Sequence, residues 1–216
     1  MDAHQVLTTT RSVRKRLDLD RSVPRSVILD CIDLASQAPT GGNVERCRWI
    51  VIDDPAQRKA VADVYRRAYG PYMEERKRLL GDAQGAAADA TRRVMASSDH
   101  LADVLDQVPA LVIPCRFDRP PVESPRDLAS FYGSILPAVW SFMLALRSKG
   151  LGSAYTTLHL DHEADAADLL GVPDTVTQVS LLPVAYTIGD DFKPAARRPA
   201  VEITYWNRWG EKGGQA

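Results

Sequence analysis

The chain has 216 residues, of which 45% are hydrophobic and 25% charged, so it can bury the core of one globular domain. Its 27 Lys and Arg residues nearly balance 28 Asp and Glu residues. This balance excludes the overall positive field that gathers nucleic acid or anionic lipid, so neither is expected as a partner.

Neither a leader nor a membrane segment is expected. The N-terminus lacks the basic region and apolar stretch of a signal peptide. The longest apolar stretch, residues 135–146, is broken by Pro137 and Ser141 and falls short of the roughly 20 residues of a membrane span. The three cysteines have no C-x-x-C spacing, which favours packing thiols over disulfides or a zinc site. We therefore expect a cytoplasmic protein.

The first half of the chain alternates helical and strand patterns. The predicted elements are a helix after Pro24 that ends at Pro39, a strand over 48–53 and a helix over 56–69. Gly70 and Pro71 are expected to end the last of these, and the charged run 74–78 to form a solvated helical face. Residues 81–106 are Ala-rich and weakly apolar, which predicts a helical excursion or mobile lid.

The second half contains the most apolar segment. The predicted elements are a strand over 110–117, a helix over 128–149, a strand over 154–158, a short helix over 164–170 and a strand over 176–188. The helix over 128–149 is apolar on nearly all faces, so we expect it to be buried in the core or between subunits, and Pro137 should kink it or displace a turn. This order indicates an α+β or α/β domain spanning residues 1–216.

Residues 190–216 read as an extended C-terminal arm of that domain. Trp206 and Trp209 are costly in water and need a surface to cover, and a partner subunit is one candidate.

Two basic clusters stand out as candidate ligand sites. In Arg11-Ser12-Val13-Arg14, two guanidinium groups flank a hydroxyl, a set that can hold a phosphate or a planar polar ring. A solvated basic turn is the alternative interpretation. Lys193 and the Arg197-Arg198 pair form a second cluster.

Between these clusters, Ala38-Pro39-Thr40-Gly41-Gly42-Asn43 follows a helix with small residues whose backbone N–H groups could approach a ligand, or it is an ordinary turn. No nucleophile elbow, H-E-x-x-H, Walker A or G-x-G-x-x-G motif is found in the sequence.

Taken in order, these motifs resemble those of the FMN-dependent nitroreductase family over nearly the whole chain. The matching segments are Arg11–Arg14 (R-S-x-R), Ala38–Asn43 (A-P-[ST]-x-x-N), Gly150–Ser153 (G-L-G-S), Leu169–Pro173 (L-L-G-[IV]-P), Leu181–Tyr186 (L-L-P-[VLI]-[AG]-[YH]) and the basic tail Arg197–Pro199. Each motif is common alone, but six in family-like order are specific.

The resemblance implies an α+β fold, a three-layer α/β/α sandwich around a mainly antiparallel sheet. It also implies an intertwined homodimer with two FMN sites at the interface. The expected activity is hydride transfer from NADH or NADPH through flavin N5 to a small-molecule acceptor such as a nitroaromatic or a quinone. This chemistry requires no protein acid or nucleophile.

The resemblance further implies roles for individual residues. Arg11, Ser12 and the Arg197-Arg198 pair would serve the phosphate and ribityl chain, and Arg14 the N1/C2 edge of the flavin. The other subunit would contribute four further FMN-binding residues, Pro39, Thr40, Gly41 and Asn43. Backbone groups near the ring would come from Thr156, Thr157 and Leu158.

Other readings remain open at this point. The same fold could serve a dehalogenase, an enone reductase or a deazaflavin-dependent reductase, or a protein that senses or stores FMN without turnover. His159 and His162 form an H-x-x-H pair, but a metal site would need a third ligand. A capping or surface role is expected for them, with His159 at the edge of the flavin pocket as a further option.

Overall fold

The computed structural model describes residues 1–213. Its α-helices are α1 (Ala3–Thr9), α2 (Arg25–Ala35), α3 (Pro55–Leu80), α4 (Ala86–Val104), α5 (Pro125–Gly133), α6 (Leu136–Ser148), α7 (Glu163–Leu170) and α8 (Ala200–Ile203). Its strands are β1 (Cys47–Ile52), β2 (Ala110–Phe117), β3 (Leu151–Ser153), β4 (Val176–Gln178) and β5 (Leu182–Tyr186). Short 3-10 helices span Gly41–Asn43, Leu105–Gln107 and Leu158–His162.

A single five-stranded sheet forms the middle layer of the described chain. The strand order is β1-β2-β5-β3, and β4 also pairs with β2; all these pairs are antiparallel. Strand β2 is central and is buried from Ala110 to Cys115. Strand β1 lies along one side of it, while β5 and β4 pair with successive parts of β2, Ala110–Val112 and Cys115–Phe117.

Alternate side chains of β2 pack into two separate cores. Leu111 and Ile113 belong to one cluster, and Ala110 and Val112 to the other, as the two-residue period of a strand requires. Helical members of the first cluster are Val61 and Tyr65 of α3 and Leu101 of α4, and those of the second are Ile28 of α2 and Phe142 and Leu146 of α6. Helices therefore cover both faces, and the predicted three-layer α+β sandwich is confirmed.

Helix α3 is longer than the sequence indicates. The predicted stop at Gly70 and Pro71 is wrong, because α3 continues through Pro71 for another two turns and a half. Proline costs the helix one backbone hydrogen bond, but Gly70 has no Cβ to clash with the proline ring. Tyr69 and Met73 are buried on either side of the proline. Their packing outweighs the lost bond, while the charged run 74–78 is exposed as predicted.

The excursion over residues 81–106 is helical as predicted and is attached to the core. Leu101 and Leu105 are almost completely buried, and Arg66 Nε of α3 donates to the carbonyl of Ala102 at 2.7 Å. The middle of α4 instead faces a cavity described below. That this segment moves as a lid stays a prediction.

The apolar helix predicted over 128–149 is two helices. Residues Pro125–Ser148 have the length and composition of a membrane span. The helix is interrupted between α5 and α6, however, and Pro137 therefore lies in the first turn of α6, where proline is tolerated. Phe142 and Leu146 are completely buried against the sheet. A core helix of this kind gives only weak support for a membrane span.

The strands after α6 differ from those predicted. Gly150 has a φ of 78° and ends the helix abruptly, so the third strand is β3 rather than residues 154–158. Thr156 makes only an isolated bridge, with Leu181. The strand predicted over 176–188 is divided at Val179 and Ser180, because its two parts pair with different parts of β2.

Gly152 of β3 lies where the strand meets the N-terminal segment. A Cβ there would be 2.8 Å from Thr187 Cγ2 and 2.9 Å from Val13 Cβ. We expect Gly152→Ala to lower the free energy of unfolding by about 1–3 kcal/mol, the usual cost of overpacking, as measured by urea denaturation. Gly133→Ala, with nothing within 4 Å of the added methyl, is the control. Equal stability of the two variants would contradict this close approach.

Candidate functional site

The segment Arg11–Arg14 forms one wall of the site. It follows α1, and the Val13 N–H donates to the Ser153 carbonyl at 2.8 Å, so the segment extends the sheet beside β3. The Val13 side chain is buried in the core, while Ser12 is exposed and Arg14 is half-buried. The sheet thereby fixes the position of the whole motif.

The motif borders a large cavity of about 880 Å³. Its polar lining is Thr10, Arg11, Ser12, Arg14, Tyr155 and Arg197, and its apolar lining is Val94, Leu136, Val139, Trp140 and Met143. The structure thus brings Arg11, Ser12 and Arg14 together with Arg197, which lies 183 residues beyond Arg14. We call this space the main cavity.

The guanidinium groups of the main cavity are not neutralised by the protein. Among residues 1–213, no carboxylate lies within ion-pair distance of Arg11, Arg14 or Arg197. Arg14 Nη1 has only a long contact, 3.4 Å, with Ser97 Oγ of α4. Three cations left unpaired around one cavity are suited to an anionic ligand.

The C-terminal segment reaches the cavity because Phe192 fixes it to the body of the protein. The Phe192 ring lies between two guanidinium groups, 4.2 Å from Arg16 Cζ and 4.5 Å from Arg147 Cζ. Arg16 Nη2 also pairs with Asp191 Oδ1 at 2.6 Å. Beyond this point, Arg197 and Arg198 are both exposed, and Arg197 lines the main cavity while Arg198 does not.

A smaller pocket of about 180 Å³ adjoins the main cavity. Its lining is Arg14, Tyr65, Tyr69, Tyr72, Ser98, Tyr155, Thr156, Thr157 and Leu158, and we call it the tyrosine pocket. Arg14 and Tyr155 line both spaces. The three residues predicted near the flavin ring, Thr156 to Leu158, therefore lie next to the predicted cation Arg14.

The loop Pro39–Asn43 lies elsewhere in the same chain. It lines neither the main cavity nor the tyrosine pocket. The Gly41 N–H donates to Ser134 Oγ at 3.0 Å, which holds the loop against the end of α5. Gly42 and Asn43 adopt left-handed conformations with φ of 65° and 55°. Pro39, Gly41 and Asn43 are exposed and Thr40 is half-buried, so the loop has groups free for an external contact.

His159 is buried completely, contrary to the expectation of a capping, surface or pocket-edge position. Neither of its ring nitrogens has a hydrogen-bond partner within the described chain. Burial lowers the pKa of His159 to about 4, an effect that Glu163 opposes. No group of three or more potential metal ligands occurs in residues 1–213.

Buried, neutral His159 should make the fold acid-sensitive. The folded pKa, about 4, lies below the ordinary value of 6.5, so the unfolded chain binds a proton more readily and stability falls as the pH drops from about 6.5 towards 4. The expected loss by pH 4 is about 3 kcal/mol. Urea denaturation from pH 7 to pH 4 measures it.

The matched variant for this prediction is His159→Leu, which keeps the burial and removes the titration. It should flatten that part of the stability curve, while His162→Gln, at a half-exposed position, should leave it unchanged. A wild-type slope in His159→Leu would show that other groups cause the acid sensitivity.

Two parts of the site were not predicted from the sequence. One is the apolar wall formed by Val94, Trp140 and Met143, which belongs to helices far apart in the chain. The other is the row Tyr65, Tyr69 and Tyr72, whose spacing places them on one face of α3. That spacing was visible in the sequence, but nothing there distinguished a pocket from ordinary core.

Comparison with known proteins agrees with this fold. The sequence profile of the Nitroreductase family matches residues 7–186. Iodotyrosine deiodinase 1 from Mus musculus is 24% identical over 201 residues, which cover 92% of this chain and 67% of that protein.

Similar solved structures share the fold over nearly their whole length. An iodotyrosine deiodinase bound to FMN and 3-iodo-L-tyrosine has a TM-score of 0.70 at 22% identity and covers 95% of this chain and 99% of its own. An FMN- and NADPH-dependent nitroreductase from Sphigopyxis sp. strain HMH has a TM-score of 0.65 at 20% identity, with 97% and 100% covered. With the family profile spanning both the Arg11–Arg14 motif and the whole sheet, the chain belongs to the nitroreductase family.

Proposed function

We propose that this chain is an FMN-dependent oxidoreductase that passes hydride from NADH or NADPH to a small organic acceptor. The observation that carries the proposal is the main cavity, where three unpaired guanidinium groups and the Ser12 hydroxyl surround a space with an apolar wall. FMN combines a dianionic phosphate, a polar ribityl chain and a flat apolar ring system. The cavity offers a matching surface for each of these parts.

The residues present fit the group part by part. Arg11, Ser12 and Arg197 would hold the phosphate and ribityl chain through charge-assisted hydrogen bonds. Trp140 and Met143 offer an apolar wall for the ring system. Arg14, between the main cavity and the tyrosine pocket, would lie at the polar edge of the ring.

The chain's own residues would hold and orient the cofactor. When bound, FMN would supply hydride acceptance and donation at its N5 atom. The half-buried Arg14 would place a positive charge beside the ring and would so favour the reduced, more negative form. Among the residues that line the two cavities, none is Asp, Glu, His, Cys or Lys. The lining thus offers no carboxylate or imidazole for general acid-base catalysis.

We further propose that the active form is a homodimer in which each site uses both chains. Trp140 is 45% exposed at the main cavity, and Trp206 and Trp209 of the arm are 60% and 91% exposed. Exposed side chains of this size favour a partner surface. The loop Pro39–Asn43, which is largely exposed and does not line the cavity of its own chain, would then contribute to the cavity of the second subunit.

The reducing interior of the cell is the location that fits best. All three cysteines, Cys31, Cys47 and Cys115, are free thiols. Burial raises the pKa of Cys31 to about 11 and that of Cys115 to about 12, so neither is a ready nucleophile.

Anaerobic rapid mixing of the FMN-loaded protein with NADH or NADPH tests the proposed activity. We expect the flavin absorbance to bleach with at least one donor and to return when a nitroaromatic or quinone is added. A flavin that neither donor reduces would instead favour a sensor, a storage protein or another donor such as a deazaflavin.

Reductive dehalogenation is the second candidate function. It is favoured by the likeness to iodotyrosine deiodinase in both sequence and fold. Halide release from a halogenated phenol by the chemically reduced protein would support it. Turnover of nitro compounds or quinones without halide release would favour the first candidate.

A further inference from the structure

We propose that the buried guanidinium of Arg147 forms an internal binding site for a single halide ion, which in the cell would be chloride. Arg147 lies in the last turn of α6 and is only 4% exposed. Among residues 1–213, no carboxylate lies within ion-pair distance of it. A buried charge is costly unless it is paired, so this cation favours a counterion from solution. The site is independent of the proposed flavin.

The partners that the protein gives to Arg147 are neutral and few. Nη2 donates to the carbonyl of Asp190 at 3.2 Å, and Nε has a long contact, 3.4 Å, with Thr9 Oγ1. The Asp190 side chain itself is exposed. Thr9 gives its own hydroxyl hydrogen to the Gln5 carbonyl. These contacts occupy two of the guanidinium nitrogens and leave the charge uncompensated, while Nη1 makes no hydrogen bond within the described chain.

A second guanidinium increases the positive charge around Arg147. The Phe192 ring separates Arg147 from Arg16, and each guanidinium carbon lies within 4.5 Å of the ring centroid. Burial lowers the pKa of Arg147, an effect that Asp190 opposes and Arg16 reinforces. Arg16 has Asp191 as its ion-pair partner, whereas Arg147 has none. An anion on the Arg147 side of the ring would offset this repulsion.

A small cleft beside Arg147 provides the place for the anion. Its volume is about 10 Å³, and Arg147, Ser153 and Phe192 belong to its lining. The Ser153 hydroxyl is buried and has no hydrogen-bond partner in the described chain. Buried polar groups without a partner are rare, so two unsatisfied donors, one of them charged, border the same space. No Asp or Glu is part of the lining. We call this space the Arg147 cleft.

The size of the Arg147 cleft selects a monatomic ion. A volume of about 10 Å³ is close to the minimum for one water molecule, so phosphate, sulfate and carboxylates are too large. Chloride is slightly wider than water, and the half-buried Phe192 on the C-terminal segment is the wall that can yield. Arg11 borders both spaces, but Arg147, Ser153 and Phe192 do not line the main cavity. The Arg147 cleft is therefore separate from the proposed phosphate site.

Thermal unfolding in different sodium salts tests the site, because a ligand that binds only the folded chain raises its stability. The Tm is measured in about 200 mM chloride, bromide or acetate, with and without saturating FMN. We expect chloride and bromide to raise the Tm by about 3 °C or more relative to acetate, whether or not FMN is present. Equal Tm values in the three salts would overturn the proposal. A halide effect that FMN removes would also overturn it, since the ion would then bind in the main cavity.

Two variants assign the effect to the Arg147 cleft. Arg147→Met removes the charge, keeps an unbranched side chain, and should abolish the difference between halide and acetate. Ser153→Ala removes only the hydroxyl and should weaken halide binding about 10-fold, the effect of one hydrogen bond to a charged group. If Arg147→Met does not fold, Ser153→Ala decides. Unchanged halide affinity in either folded variant would overturn the proposal.

Matched controls remove the same groups elsewhere. Arg126→Met and Ser148→Ala change an exposed arginine and an exposed serine, and both should retain the full halide effect. Arg197→Gln, which removes a cation from the main cavity, should retain it as well. A loss of the effect in Arg197→Gln alone would place the ion in the main cavity and overturn the proposal.

Bromide also locates the ion directly through its anomalous scattering in crystals grown from a bromide salt. We expect one bromide within hydrogen-bond distance of the Arg147 guanidinium and the Ser153 hydroxyl. A water molecule at that position in place of bromide would overturn the proposal. Bromide at that position without any effect on the Tm would mean an adventitious ion only, and would overturn it too.

Discussion

Truncation after Pro199 should convert the protein to a monomer or an insoluble chain and weaken FMN binding at least 10-fold. This cut keeps the Phe192 contact and both Arg197 and Arg198, but it removes α8 and the exposed apolar side chains that follow. These are Val201, Ile203, Tyr205, Trp206 and Trp209, each at least 37% exposed. In a homodimer they would cover a partner and complete its site, and such interfaces are large and core-like.

Light scattering and FMN titration measure both effects of the truncation. The double variant Trp206→Ser/Trp209→Ser, which keeps the full length, should show the same defects in milder form. Val122→Ser removes an equally exposed apolar side chain, 75% exposed, from a different surface and is the control. A truncated chain that stays dimeric and binds FMN normally would contradict the role of the arm.

Arg14→Gln and Arg197→Gln should have different effects although each removes one cation from the main cavity. Arg197 would bind the phosphate, so its loss should raise the Kd for FMN about 10- to 100-fold, the value of a charge-assisted hydrogen bond. Arg14 would act on the ring, where a positive charge favours the reduced form. Its loss should lower the midpoint potential by about 30 mV, or about 1.4 kcal/mol for two electrons, with much of the FMN retained.

Flavin occupancy and midpoint potential are measured on both variants. Lys193→Gln, an exposed cation of the same arm that does not line the cavity, controls for the general loss of charge. Arg198→Gln shows whether the second arginine of the pair, exposed in the single chain, takes part. An unchanged potential in Arg14→Gln, or equal loss of flavin from the Arg14 and Arg197 variants, would show that the two roles are wrongly assigned.

The sequence predicts the layers of this fold better than the ends of its elements. The apolar run 110–117 and the three- to four-residue period after Pro24 both reflect burial; the strand occurs as expected, and the helix begins as expected but ends at Ala35 rather than at Pro39. Pro71 led to a wrong prediction of the end of α3, because the low helix propensity of proline opposes a helix there. The packing of the buried Tyr69 and Met73 stabilises the helix through this position. Gly150 and Gly152 lie so close together that a strand between them was not predicted, yet Gly152 is part of β3.

The candidate site likewise has one part that the sequence predicts and one part that it does not. Motif order pointed to Arg11, Ser12, Arg14 and Arg197, and the fold brings these four to one cavity. The tyrosine pocket needs α3, α4 and the chain after β3 to meet, a long-range arrangement that no local pattern encodes. His159 was misplaced for a related reason, because a histidine that is buried without hydrogen bonds breaks the usual rule for buried polar groups.

FMN binding by the purified protein tests the central claim most directly. The protein is stripped of any ligand and titrated with FMN, and bound and free flavin are separated by equilibrium dialysis. The account predicts a yellow protein that takes up one FMN per chain, does not take up FAD in its place, and loses affinity in Arg197→Gln. A colourless protein that binds no added FMN would contradict it.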